Sequence, residues 1–164
     1  SLVQELEEYP NLVVLQTLSK AWGLAGLRLG MAFASTAIIE LMNKVKPPYN
    51  IGQATQELVL QALEEVGQVN DMIKILVDMR SALAGVFESM PTVEKVYPSD
   101  ANFILVKIKD ARKVYEFLLA KGIVLRDRSN VKLCEDCLRI TVGTEQENTV
   151  LVDAMQDWFA LQTK

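Results

Sequence analysis

The chain has 164 residues, half of them apolar, enough to bury the core of one or two domains. Its net charge of -4, with acidic and basic residues interspersed, argues against nucleic-acid binding, which needs a clustered positive face. Histidine is absent, which removes Ser-His-Asp and Cys-His catalysis and every His-ligated metal site, so no metal centre is expected.

No apolar run approaches the length of a membrane span, and the N-terminus lacks the charged-then-apolar pattern of a signal peptide. A soluble, cytoplasmic protein with no membrane partner is the expectation. The sequence opens on Ser1 rather than Met and runs abruptly into structured sequence, as a piece of a longer protein would.

In chain order, residues 2–9 read as a short amphipathic piece and residues 11–16 as a buried strand with no upstream partner. Then comes Thr17-Leu18-Ser19-Lys20-Ala21-Trp22-Gly23-Leu24-Ala25-Gly26-Leu27-Arg28-Leu29-Gly30, with two hydroxyls, a lysine and an arginine set among three glycines. Glycine lets backbone approach a ligand closely, hydroxyls bond phosphate oxygens, and Arg offers them a charged fork. A lysine in such surroundings suits nucleophilic attack on a carbonyl. The competing reading is a glycine-rich turn with a surface Lys and Arg.

Residues 30–34 suit a strand. Ser35 or Thr36 caps a helix carrying Ile38, Leu41, Met42 and Val45, which Pro47 and Pro48 stop. A second helix from Gln53 presents Leu58, Ala62, Leu63 and Val66 on one face and is interrupted at Gly67. A longer one follows, with Met72, Ile73, Leu76, Met79, Leu83, Phe87 and Met90 in register, ended by Pro91. Its methionine stripe reads as core packing, and the helix as a connector between domains.

From Val93 the pattern becomes an alternating α/β module. Residues 93–97 and 102–108 read as strands around a turn at 98–101, and Asp110 caps a helix over 111–120 with Gly122 in its left-handed C-terminal position. Residues 123–126 read as a short strand ending in Arg126, 127–136 as a polar loop, and 138–142 as another strand. Alternation there puts Leu138, Ile140 and Val142 on one face and Arg139 with Thr141 on the other, where a cleft could lie. Thr144 and Glu147 form a capping box for a helix burying Val150, Leu151, Ala154, Met155, Trp158 and Phe159. Cys134 and Cys137 are spaced C-x-x-C but run into a strand, and two thiols cannot complete a zinc site, so they read as reduced and incidental.

The string Ser-Lys followed by Gly-Leu-Ala-Gly-Leu-Arg-Leu-Gly resembles the active-site segment of the fold-type I pyridoxal-phosphate aminotransferases. The resemblance implies that Lys20 forms the Schiff base with the aldehyde of pyridoxal 5'-phosphate, that Arg28 binds the cofactor phosphate, and that Thr17 and Ser19 lie beside it. It implies further that Arg139, in Leu-Arg-Ile-Thr-Val-Gly-Thr, clamps the substrate carboxylate and that Arg126, in Ile-Val-Leu-Arg-Asp, helps hold an anionic substrate. Fork geometry alone suits carboxylate and phosphate equally.

The implied fold class is α/β: residues 1–50 a remnant of the large cofactor-binding domain, 51–92 connecting helices, and 93–164 the C-terminal small α/β domain. The implied reaction transfers an amino group between an amino acid and a keto acid or keto phosphate in a homodimer. The acceptor stays open, since histidinol phosphate, aromatic acids and others share these residues. An intact family member also has an upstream carboxylate for the pyridine nitrogen, a tyrosine for the ring hydroxyl, an upstream phosphate-binding loop and a residue from the second subunit. None can be located in this sequence, so the chain is expected to be inactive alone. The alternatives are a decarboxylase of a phosphorylated amino acid and a non-catalytic α/β interaction module.

Overall fold

The computed structural model describes residues 1–162 and divides them into two compact units, Ser1–Asp71 and the part from Met72 onward. Both mix helix and sheet, and every strand pairing is antiparallel.

In the first unit a 3-10 turn, Leu2–Glu5, leads to β1 (Val13–Thr17), which pairs with β2 (Gly30–Ala34) from Val13 opposite Ala34 to Thr17 opposite Gly30. β1 starts and ends later than expected and is not buried, with Leu15 75% exposed. Its partner lies downstream, and this two-stranded hairpin has no third strand among the described residues. The helices α1 (Thr36–Val45) and α2 (Gln53–Glu64) follow. Ser35 stands at the N-cap of α1 without a side-chain cap bond, and α1 stops just ahead of Pro47 and Pro48, which offer no amide hydrogen.

α2 ends at Glu64, and α3 (Val66–Glu88) begins two residues on. The break therefore falls at Glu65, and Gly67 lies inside the first turn of α3 rather than between the helices. The buried residue of α2 is Val59; Leu58, Leu63 and Val66 are all exposed, so the face expected from spacing is rotated by about one residue. The division between the units falls within α3.

The second unit has one continuous core. β3 (Val93–Tyr97), β4 (Phe103–Ile108), β5 (Arg126–Asp127) and β6 (Cys137–Thr141) form a sheet in the order β3-β4-β6-β5. Alternation along β4 buries Ile104, Val106 and Ile108, and along β6 Leu138 and Ile140. Against this face pack Leu83 and Phe87 of α3, Val114 and Leu118 of α4 (Ala111–Ala120), and Leu151 and Met155 of α5 (Glu145–Gln162). Met72, at the start of the expected stripe, and Val150, on α5, are instead exposed. Val150 sits one position, about 100°, off the Leu151 stripe.

The C-terminal end of α4 explains where β5 begins. The α4 end is a Schellman motif: Gly122 has φ +79°, its amide donates to Leu119 O (2.9 Å), and the Ile123 amide to Leu118 O (2.9 Å). Ile123 is thereby tied to the helix, so the strand expected over 123–126 shrinks to Arg126–Asp127, and Arg126 opens β5 instead of ending it. Asp110 does stand at the N-cap of α4, but with φ +57°, and its carboxylate pairs with Lys113 Nζ (2.9 Å) rather than capping an amide. The capping box of α5 forms as read: Glu147 Oε2 accepts from the Thr144 amide (2.7 Å), and Thr144 Oγ1 accepts from the Glu147 amide (3.3 Å). No helix among the described residues is long and apolar enough to cross a membrane.

Candidate active-site loop and arginine groove

Thr17, Ser19, Lys20 and Arg28 all lie in the connection between β1 and β2. Thr17, the last residue of β1, accepts the Ser19 amide at its Oγ1 (3.0 Å) and donates from it to Leu29 O (3.5 Å), tying the two ends of the loop. The Leu24 amide closes back on Leu18 O (3.0 Å) and that of Gly23 on Lys20 O (2.9 Å), with Gly23 at φ +67°. Leu18 is buried beneath this turn, and Lys20 is exposed above it. Among the described residues the Lys20 amine has neither a hydrogen bond nor an ion pair.

Arg28 follows the short 3-10 turn Ala25–Leu27 in the left-handed conformation (φ +54°), uncommon for a residue with a side chain. Among the described residues its guanidinium makes one bond, from Nη1 to Ala25 O (3.0 Å), and Arg28 is exposed. The loop thus presents an amine, the Ser19 hydroxyl and a mostly unengaged guanidinium. That donor set suits an aldehyde and a phosphate on one ligand.

Arg126 and Arg139 are brought together in the second unit. Leu138 and Ile140 point into the core, so Arg139 faces the other side of the sheet, where Leu105 flanks it from β4 and Arg126 from β5. The Arg139 guanidinium lies 5.0 Å from the centre of the Phe103 ring. Its Nε is buried and has no hydrogen-bond partner among the described residues. Burial first, then the positive charges of Arg128 and Arg126, push this guanidinium below its usual pKa. It remains a cation at neutral pH.

These arginines line a groove of about 540 Å³ that also takes in Arg112, Tyr115, Arg128 and Thr141. Its one carboxylate is internally engaged. Asp127 accepts from the Ser129 amide (2.9 Å) and from Arg112 Nη1 (3.2 Å), while Arg112 also pairs with Glu116 (2.8 Å). Ser129, whose amide donates to it, and then Arg112 hold the Asp127 carboxyl below the usual range. Reading the sequence left out Arg112 and Arg128. The string Arg126-Asp127-Arg128 carried a signal at two-residue spacing, whereas Arg112 joins across a separation of fifteen residues that no local pattern displays.

Cys134 and Cys137 are free thiols; burial, and secondarily Cys134, pushes the Cys137 thiol up, away from the reactive thiolate. No group of three or more potential metal ligands occurs among the described residues.

The family pattern described as aminotransferase class I and II matches residues 1–155. The histidinol-phosphate aminotransferase of Flavobacterium psychrophilum is 49% identical over 156 residues, which are 95% of this chain and 45% of that protein. Among solved structures, a decarboxylase from Sulfurospirillum multivorans superposes with a TM-score of 0.83 at 27% identity, over 96% of this chain and 46% of that one. The histidinol-phosphate aminotransferase of Sinorhizobium meliloti, in complex with pyridoxal-5'-phosphate, superposes with a TM-score of 0.82 at 23% identity, over 94% and 43%. The chain spans about half the length of the curated relatives it matches.

Proposed function

We propose a function on the premise that this chain belongs to the aminotransferase class I and II family. The full-length protein is a histidinol-phosphate aminotransferase, moving an amino group between an amino acid and a keto phosphate. Residues 1–50 belong to its large domain, 51–92 to connecting helices and 93–164 to its small domain, in an enzyme that works as a homodimer. The observation that carries the reading is Arg139 directly opposite Arg126, with a buried Nε unpartnered and no carboxylate paired to it among the described residues. A buried donor left unpaired costs about 1–3 kcal/mol, which an anionic ligand would recover. A relative named for a phosphorylated substrate, at 49% identity, supports the choice of that anion.

The loop residues fit pyridoxal phosphate. Lys20 Nζ is the amine that holds its aldehyde, with nothing to displace among the described residues. Arg28 and Ser19 offer donors to its phosphate, and the Thr17 hydroxyl, whose bond to Leu29 O is long at 3.5 Å, is free to turn to a stronger acceptor. When bound, the cofactor supplies the electron sink for bond breaking at the amino-bearing carbon. Lys20 would carry a proton at its Nζ, and Arg126 and Arg139 would bind the substrate's anionic end.

Borohydride reduction of the full-length protein with pyridoxal phosphate should label the peptide containing Lys20. Lys20→Ala should lose both the label and amino transfer to the keto phosphate. A label on another lysine overturns the reading. The structural relative from Sulfurospirillum multivorans, a decarboxylase, favours a second one, decarboxylation, with the arginine groove holding a phosphorylated amino acid. Release of carbon dioxide in place of amino transfer would establish that instead.

A further inference from the structure

Resting on that reading of the groove as the substrate's anion site, we propose that Arg128 sets its specificity: together with Arg126 and Arg139 it reads the second negative charge of a phosphate monoester, which a carboxylate lacks. The Arg128 amide donates to Cys137 O (2.9 Å), extending the β5–β6 ladder one rung beyond Asp127. Residues two apart on an extended strand share a side, so Arg128 joins Arg126, and Arg126 stands opposite Arg139. All three line the same groove.

The charge there is unbalanced. Asp127 is engaged by Arg112 and Ser129, and Arg112 by Asp127 and Glu116. Arg126, Arg128 and Arg139 have no ion-pair partner among the described residues. Two of them, Arg128 and Arg139, are half-buried, where water screens like charges less than at the surface. That Arg128 is felt at Arg139, and ahead of Arg126, agrees with this placement.

A carboxylate has one charge and two oxygens, which a single bidentate arginine satisfies. A phosphate monoester carries roughly -1.5 to -2 charges at pH 7 and three terminal oxygens, enough for three forks. The third guanidinium is therefore matched by phosphate and left over by carboxylate. Its contribution should show as a ratio of affinities.

The test uses the full-length protein with cofactor bound, so that the cofactor's own phosphate position is filled, and titrates methyl phosphate and acetate by calorimetry. Arg128→Gln should weaken methyl phosphate about tenfold or more and acetate less than about threefold, and Arg128→Lys should recover part of the loss. Arg139→Lys should weaken both anions. An unchanged phosphate-to-acetate ratio in Arg128→Gln, whether both affinities fall together or neither moves, overturns the proposal. Loss at Arg139 without a ratio change at Arg128 leaves the anion site standing and removes only Arg128's role. Wild-type protein that binds neither probe overturns both.

Discussion

The unit from Met72 onward buries sixteen residues in one cluster, whereas in the unit Ser1–Asp71 only Leu18, Val59 and Val69 are buried among the described residues. The first unit leaves Leu15, Leu41, Val45 and Leu60 more than half exposed. Each nevertheless carries chemistry-bearing residues, held in different ways. Backbone hydrogen bonds within a dozen residues shape the Lys20 loop. The arginine groove is set by the register of β5 against β6, which exists because the opposite face of β6 packs on three helices. Substitutions in the core should therefore disturb the arginines strongly, and comparable apolar substitutions in the first unit should do little.

The largest expected effect tests that contrast directly. Phe87 is 1% exposed at the centre of the second unit's core, and Phe87→Ala should cost about 3–5 kcal/mol through lost burial and the cavity left behind. Leu15→Ala, in a side chain 75% exposed, should stay within about 0.5 kcal/mol. Amide exchange resolved by residue, read separately in the two units, gives both numbers. Equal costs would break the comparison.

Next in size is a change that leaves the core alone. Arg139→Lys keeps the charge but loses the planar fork and the stacking on Phe103. In the full-length enzyme kcat/KM should fall by roughly 2–4 kcal/mol of transition-state stabilisation, with the thermal midpoint nearly unchanged. An unaltered kcat/KM for every acidic or phosphorylated substrate would remove Arg139 from the site.

What could be read from the sequence follows the same division. The Lys20 segment, Gly122 and the Thr144–Glu147 box were legible because each is local: turn chemistry and capping act over three to a dozen residues. The inward and outward faces of β6 were legible from period two. Burial in the first unit was not, because Leu12-Val13-Val14-Leu15 states a hydrophobic run without stating what covers it, and in this chain nothing among the described residues covers Leu15. Nor was the length of β5, since the Schellman turn ties Ile123 back to α4 by a bond that propensity does not weigh. Arg112 and Arg128 were missed because a groove is assembled by register and by a helix packed from elsewhere in the chain.

A smaller effect sharpens the local side of the comparison. Thr144→Ala removes a hydroxyl that caps the Glu147 amide (3.3 Å) and should cost about 1 kcal/mol. The loss should appear as faster exchange in the first turn of α5 and leave Leu118 and Ile140 protected. Protection lost across the whole core would mean that the cap and the core are one cooperative element.

The smallest expected effect concerns Asp127, where the local and the assembled meet. Its carboxyl is held below the usual range by Ser129 on its own strand end and then by Arg112 on α4, and its side chain is only 12% exposed. A carboxylate whose pKa is lower folded than unfolded adds stability that is fully present above the unfolded value, near 4, and is lost as pH falls through the folded value. The second unit should thus lose stability progressively below about pH 4, with at most one proton's share of the slope due to this residue. Asp110 and Glu147, also lowered by Lys113 and Thr144, contribute to the same acid limb. Asp127→Asn keeps the shape and the Ser129 contact but cannot ionise. Its chemical unfolding, followed from pH 6 to pH 2, should show a shallower slope than wild type and a somewhat lower plateau at pH 6. A slope identical to wild type would mean that the Arg112–Asp127 pair, although formed, does not hold β5 to α4, and that the groove takes its shape from the β5–β6 ladder alone.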